Sequence, residues 1–252
     1  MGLTVCQAVC DDPELDLVAA VDPHHVGIDV RQLGIQGAPT IQVARDASAL
    51  RSAGADVAVD FTVIDAARDN LAWCAEHGVH AVVGTSGFSI DEVDKLRVRF
   101  DESSANAVIA PNFAISAVLM MRMAELAAPY FDTVEIIELH HDGKIDAPSG
   151  TAIATAERVA DASSDWAPDP TTKSVVEHAR GGVGAGGIPI HAVRMRGMVA
   201  HQEVLFGASG QTLSIRQDSY DRTSYMPGVL MAIRAIGDKP GLTFGLDTLL
   251  GI

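Results

Sequence analysis

Apolar positions along the first 112 residues alternate between two rhythms. Leu3, Cys6, Val9 and Cys10 recur at helical spacing, and Asp11-Asp12-Pro13 ends that helix, because proline disfavours helical geometry in the residue before it. Leu15 to Val21 then forms a largely apolar run closed by Asp22, which predicts a parallel strand buried on both faces. Asp56 to Phe61, His80 to Gly84 and Ala107 to Ala110 repeat that pattern. Between them, helical periodicity predicts helices from about Asp65 to Glu76 and about Asp91 to Phe100. Strands alternating with helices imply right-handed crossovers in a doubly wound parallel sheet, an α/β fold of the Rossmann-like kind.

After Asn112 the rhythm changes. A helix is predicted from about Ser116 to Tyr130 and a strand from Thr133 to Leu139. Later segments, such as Val204-Leu205-Phe206 and Thr212 to Arg216, mix polar with apolar positions in the manner of a mixed sheet. The reading is a second, α+β domain over residues 113–221, inserted in a first domain of residues 1–112 plus 222–252. Arg180 to Gly187 is rich in glycine and reads as a mobile loop, since glycine loses most entropy on ordering.

Composition narrows the classes. The 252 residues are 48% hydrophobic, enough for a well-buried core. Lys and Arg number 18 against 33 Asp and Glu, and the resulting charge of -15 repels phosphate backbones and anionic lipid, which argues against nucleic-acid and membrane partners. A small anion can still be held, because nearby donors and helix N-termini decide affinity at a site. The three cysteines make an odd count with no Cys-x-x-Cys pair, so neither a disulfide framework nor a zinc ribbon is indicated and a reducing cytoplasm fits best.

The densest chemistry lies in Glu135 to Ala152. His140 and His141 end a predicted strand, Asp142-Gly143 can turn the chain so that Lys144 returns beside them, and Pro148-Ser149-Gly150-Thr151 opens a predicted helix from about Ala152 to Ala160. Exposed N–H groups at such a helix start hold carboxylates well, so the segment combines an anion site with proton-transfer groups. The plainer alternative is a hydrogen-bonded strand pair of histidines and a solvated lysine. A metal site is not expected, because adjacent strand residues face opposite ways and chelate one ion poorly.

Other segments end strands. Gly84-Thr85-Ser86-Gly87-Phe88, Ala110-Pro111-Asn112-Phe113 and Asp60-Phe61-Thr62 fall at carboxyl ends, where doubly wound sheets bind nucleotides. Asp22 closes a predicted strand, where an acid can accept hydrogen bonds from ribose hydroxyls, and Gly2 precedes it by the roughly 20 residues of a dinucleotide fingerprint.

The run His140-His141-x-x-Lys144-x-Asp146-x-Pro148-Ser149-Gly150-Thr151-Ala152 resembles the dihydrodipicolinate reductase family position for position. The likeness extends through Gly84-Thr85-Ser86-Gly87-Phe88, where the family has threonine in place of Ser86, and through Ala110-Pro111-Asn112-Phe113, Gly187 to Arg194, His201 to Gly207 and Asp221-Arg222. It implies that His140 and Lys144 are catalytic proton donors or acceptors, and that His141, Gly150 and Thr151 bind the substrate carboxylates. It further implies that Gly2, Asp22, Gly84, Thr85, Ser86, Ala110, Pro111, Asn112 and Phe113 line a nicotinamide cofactor. The first domain would then bind the dinucleotide and the second would bind substrate and assemble a homotetramer. His191 and His201 read as structural, and Arg194 as either a substrate-site cation or a salt bridge.

By that resemblance the reaction reduces the cyclic imine formed from 4-hydroxy-tetrahydrodipicolinate to tetrahydrodipicolinate, in diaminopimelate and lysine biosynthesis. NADH is the expected preference and NADPH is expected to serve as well, since Asp22 would repel a 2′-phosphate and Pro23 offers no cation, while His24 softens the effect. The family's first strand and its run Gly-x-x-Gly-Arg-Met-Gly would place Met1-Gly2 at the last two positions of that run. The expectation is therefore that the natural chain begins upstream, and that Leu17 to Val21 and Val57 to Val59 lack a strand between them. The alternatives are a non-catalytic dicarboxylate-binding relative that has lost its cofactor loop, and another two-domain dehydrogenase; the latter leaves the His-His-x-x-Lys run unexplained.

Overall fold

Short runs of small and β-branched residues build the first sheet: β1 (Val57–Asp60), β2 (His80–Val83) and β3 (Ala107–Ile109) lie parallel in that order, and β9 (Leu242–Phe244) joins β3 from the end of the chain. In this computed structural model, which describes residues 1–252, they belong to a compact unit of Met1–Phe113 and Tyr225–Ile252; a second unit comprises Ala114–Ser224. Parallel strands need long crossovers. These are supplied by α3 (Ile64–His77), between β1 and β2, and α4 (Ile90–Asp101), between β2 and β3. Leu71, Cys74, Phe100 and Leu242 close the core over that sheet. Each fully buried large apolar side chain of this kind contributes about 1.5–3 kcal/mol.

Both crossover helices begin or end on sequence signals. Ser89 caps α4 by accepting from the Glu92 N–H while the Glu92 carboxylate accepts from the Ser89 N–H, a reciprocal capping box. Gly78 ends α3 at φ 70°, where a side chain is disfavoured. The remaining helices of the unit are α1 (Gly2–Asp11), α2 (Ser48–Ser52), α7 (Met226–Ala235) and α8 (Asp247–Leu250). Arg234 of α7 ties down the turn after α1 through Asp12 and Glu14.

The predicted strand at Leu15 to Val21 is not a strand of this sheet. Only Val21 forms a bridge, an isolated parallel one with Ala44, and Val18 and Val21 are 42% and 38% exposed. An apolar run becomes a strand only with a hydrogen-bonded neighbour. The sole ladder contacts here go to Ala44, whose N–H donates to Ala20 O and whose carbonyl accepts from Asp22 N–H. β1 is an edge strand, with β2 as its one partner.

In the second unit, α5 (Ile115–Ala127), β4 (Thr133–His140) and α6 (Gly150–Ala162) precede a run of strands, β5 (Gly182–Val183), β6 (Pro189–Arg194), β7 (Ala200–Ala208) and β8 (Gln211–Ser219). The sheet order is β5-β6-β4-β7-β8, with β4 and β6 parallel and the other neighbours antiparallel, so the sheet is mixed as its polar alternation suggests. Val134, Ile136 and Glu138 alternate onto the buried face of β4, while Glu135, Ile137 and Leu139 are only half buried on the other.

The glycine-rich run is not the free loop that its composition suggests. It forms β5 and a 3-10 turn at Ala185–Gly187. Its glycines serve close packing: a Cβ on Gly184 would lie 2.8 Å from Ile190 Cδ1 and 3.2 Å from Ala156, and one on Gly186 would lie 2.8 Å from Ala160. Arg180 at its start donates to Glu135, which also pairs with His191.

Candidate active site

One strand end and one helix start bring together titratable groups of the second unit. The alternation that buries Ile136 puts Glu138 on the same face, with no part of its surface exposed, and delivers His140 there at the strand terminus. A carboxylate so placed needs compensation from every side. It has it: Arg194 of β6 donates to both oxygens at 2.7 and 2.8 Å, the Ser149 N–H donates to Oε1 at 3.1 Å, and His140 Nδ1 lies 2.6 Å from Oε2. Burial pushes the Glu138 pKa up, but the hydrogen bonds from Arg194 and His140 outweigh it and hold the carboxyl below its ordinary value.

Burial likewise acts on His140 and lowers its pKa, and the charges of Lys144 and Arg194 push the same way; the Glu138 carboxylate opposes them without cancelling them. Beyond His140 the chain turns, with Lys144 N–H donating to His141 O at 3.2 Å. That turn leaves His141 exposed and brings Lys144 back, its Nζ 2.7 Å from both oxygens of Asp146. The Asp146 carbonyl accepts from Arg194, which links the turn to the Glu138 cluster. Ser149 then caps α6, its side chain accepting from Ala152 N–H, so Gly150 and Thr151 occupy the first turn of a 13-residue helix. The first N–H groups of such a helix attract carboxylates. His140, Lys144, Gly150 and Thr151 therefore belong to one connected segment, with exposed His141 at its edge.

Arg194, which the sequence leaves open between ligand and salt bridge, is the partner of Glu138. Glu138, the carboxylate on which this cluster converges, is not among the site residues read from the sequence. The signal is present: an acid at the third of the alternating positions Val134, Ile136 and Glu138 lies on a face that should be apolar. His201 pairs with Asp218 at 2.7 Å and His191 with Glu135 at 2.5 Å, partners that account for both. No group of three or more His, Cys, Asp or Glu is placed to hold a metal ion.

In the first unit the ends of β1, β2 and β3 form a single carboxyl edge. Asp60, 7% exposed, accepts from Thr62 N–H and Thr62 Oγ1 at 2.7 Å and from Asn70 Nδ2 at 2.7 Å. Thr85 donates to Thr62 O at 3.2 Å and so joins the β2 end to the β1 end. Phe61 packs against buried Phe113 with ring centroids 5.8 Å apart, joining the β1 end to the β3 end. Gly84, Thr85 and Ser86 are thus brought beside Ala110, Pro111, Asn112 and Phe113, of which Ala110 and Phe113 are buried and serve as support. Gly2 opens α1, whose N-terminus has no side-chain cap. Asp22 follows the Val21 bridge, and its carboxylate accepts from His24 N–H at 2.8 Å and contacts His25 Nδ1 at 2.7 Å.

Comparison with known proteins identifies this arrangement. A family model described as "Dihydrodipicolinate reductase, N-terminus" matches residues 1–113, and one described as "Dihydrodipicolinate reductase, C-terminus" matches residues 116–250. The 4-hydroxy-tetrahydrodipicolinate reductase of Cutibacterium acnes is 48% identical over all of this chain and 95% of its own length. That of Mycobacterium marinum is 50% identical over 81% of this chain and 84% of its own. Among solved structures, a dipicolinate-bound dihydrodipicolinate reductase from a Paenisporosarcina species superposes with a TM-score of 0.84 at 36% identity, covering 98% of this chain and 95% of that one. An amine dehydrogenase from Mycobacterium smegmatis shares the fold at 16% identity and a TM-score of 0.62. With both halves matched and full-length relatives near half identity, the chain belongs to the dihydrodipicolinate reductase family.

Proposed function

We infer that this protein reduces 4-hydroxy-tetrahydrodipicolinate, through its dehydrated cyclic imine, to tetrahydrodipicolinate with a pyridine nucleotide, as a step of diaminopimelate and lysine biosynthesis. The observation that carries the reading is the segment from His140 to Thr151, where a half-buried, carboxylate-paired imidazole, an ammonium and a helix N-terminus follow one another. The first turn of α6, with Gly150 and Thr151, and the side chain of His141 would hold the ring carboxylates and fix its orientation before chemistry. His140 Nε2 and Lys144 Nζ are the groups that would hold and deliver the proton needed where carbanion or enamine character develops.

The first unit fits a dinucleotide. Three neighbouring parallel strands end on one edge, as nucleotide sites on doubly wound sheets do, and the uncapped N-terminus of α1 leaves N–H groups for a phosphate. Gly84, Thr85, Ser86, Pro111 and Asn112 would line the nicotinamide half, backed by the buried Ala110 and Phe113, with Gly2 near the phosphates and Asp22 at the ribose. When bound, the reduced nicotinamide supplies the hydride. NADH is the preferred form on this reading and NADPH also serves, because the Asp22 pKa is held low, chiefly by the His24 N–H, and a charged carboxylate opposes a 2′-phosphate.

The mixed sheet supports assembly into a homotetramer through the second unit: α5 and α6 pack on the face of Val134, Ile136 and Val204, while Ile137, Leu139, Val193 and Leu205 stay half exposed on the other. No helix is long and apolar enough to cross a membrane. Cys6, Cys10 and Cys74 are free thiols, which fits a reducing cytoplasm. A non-catalytic dicarboxylate binder would give the pairing of His140 with buried Glu138 no task, and the comparisons lend that alternative no support. Titration with NADH followed by fluorescence, with and without pyridine-2,6-dicarboxylate, tests the assignment. Saturable binding of both is expected, and a folded protein that binds neither contradicts it.

A further inference from the structure

Four donors converge on the Glu138 carboxylate, and they come from three functional parts of the second unit. Oε2 takes His140 Nδ1 at 2.6 Å and Arg194 Nη1 at 2.7 Å; Oε1 takes Arg194 Nη2 at 2.8 Å and the Ser149 N–H at 3.1 Å. A carboxylate can only accept, so His140 must present an N–H at Nδ1. That leaves Nε2, which has no protein partner, as the ring atom that gains and loses the proton. Ser149 is the cap of α6, so the same carboxylate also fixes where Gly150 and Thr151 begin the helix.

We propose that Glu138 is the positioning residue of the site, setting the tautomer of His140 through one oxygen and the start of the α6 anion site through the other. Its role in turnover rests on the reductase reading given above; its effect on the imidazole does not. The charged and titratable groups facing His140 are Glu138 on its own strand, Arg194 on β6 and Lys144 in the turn, with Asp146 bound to the last two. Among the four donors only His140 can become an acceptor, by moving its proton to Nε2. Arg194 and the Ser149 N–H cannot. In Glu138→Gln the amide oxygen therefore stays toward Ser149 and Arg194 Nη2, and the amide nitrogen turns to His140. The ring is then driven to the Nε2–H tautomer, whose proton sits on a neutral imidazole and is a far weaker acid than an imidazolium proton. Arg194 Nη1 keeps Val193 O at 2.8 Å.

The proposal separates two variants. Glu138→Gln loses the tautomer control and keeps the Ser149 acceptor, so kcat should fall about 100-fold, the scale of losing a working acid or base, with KM for substrate within about threefold of the parental value. Glu138→Ala loses both, so KM should rise as well. In the pH profile of Glu138→Gln the limb belonging to His140 should move to lower pH, because the carboxylate that favours the imidazolium is gone.

The decisive measurement is the nitrogen-15 spectrum of the labelled histidines, with His140 assigned by His140→Asn. The parental protein should show the neutral His140 ring as the Nδ1–H tautomer, and Glu138→Gln, shown by circular dichroism to be folded, should show the Nε2–H tautomer. If Glu138→Gln does not fold, the parental spectrum decides alone: a neutral ring protonated at Nε2 overturns the proposal. A folded Glu138→Gln with parental tautomer and parental kcat also overturns it. The expected tautomers in a protein that turns over no substrate would support the positioning role and reject the reductase reading instead.

Discussion

A Cβ on Gly84 would lie 2.1 Å from Cε1 of Phe61, so the ring that follows β1 fills the space a side chain at the end of β2 would need. Phe61 in turn packs on Phe113 after β3. The carboxyl edge proposed to hold the nicotinamide is therefore a single packed piece. Gly84→Ala should cost about 1–3 kcal/mol, the range for overpacking, and displace Phe61. We expect a lower melting temperature and weaker NADH binding, read by calorimetry and fluorescence titration. Gly84→Ala with Phe61→Leu should recover part of the stability; no loss in the single variant would show that the edge is not packed as described.

His140→Ala and Lys144→Ala should each reduce turnover on the order of a hundredfold or more while the fold survives. Thr151→Val should act mainly on KM, through a lost contact at the helix N-terminus. Steady-state kinetics on folded variants check all three, and parental turnover in both of the first two would remove those residues from catalysis.

The elements differ in how plainly the sequence marks them. The helices at Ile64–His77 and Ile90–Asp101 and the strand at Thr133–His140 are legible because periodicity and caps agree there, Ser89 with Glu92 being the plainest case. Leu15 to Val21 carries the apolar pattern of a strand but forms none, because its backbone finds only Ala44 to pair with. Gly181 to Gly187 departs the other way: its glycines answer to Ala156, Ala160 and Ile190, contacts that composition cannot see. The His140-to-Thr151 run is legible as chemistry. Glu138 and Arg194 are 56 positions apart and meet only when β4 and β6 pair, so their role waits for the fold.

Acid should weaken the first unit through Glu92. The Ser89 N–H, then the Ser89 hydroxyl and Arg68, hold its pKa down to about 2. A carboxyl whose folded pKa lies below its unfolded value of about 4.3 stabilises the fold at higher pH and loses that contribution as pH falls toward 2. The melting temperature should drop across that window, and Glu92→Gln should lower it at neutral pH while flattening the drop. An identical pH dependence in parental and variant protein would assign the acid sensitivity elsewhere.

The nucleotide preference should respond to Asp22. Its carboxylate is engaged by His24 N–H and His25, a turn that holds it in place as an acceptor. Asp22→Ala should raise the NADPH-to-NADH ratio of kcat/KM by several-fold, since removing one like charge near a phosphate is worth about 1 kcal/mol at an exposed site. A ratio unchanged by the substitution, at equal nucleotide concentrations, would take Asp22 out of the ribose site.

This chain is a pyridine-nucleotide-dependent reductase acting on 4-hydroxy-tetrahydrodipicolinate. The most direct test follows the loss of reduced-nicotinamide absorbance when the purified protein receives freshly generated substrate, with pyridine-2,6-dicarboxylate as competitor. Substrate-dependent oxidation of NADH, with NADPH also used, is expected, and the competitor should suppress it. A folded protein that binds nucleotide but oxidises neither form above the substrate-free rate would contradict it.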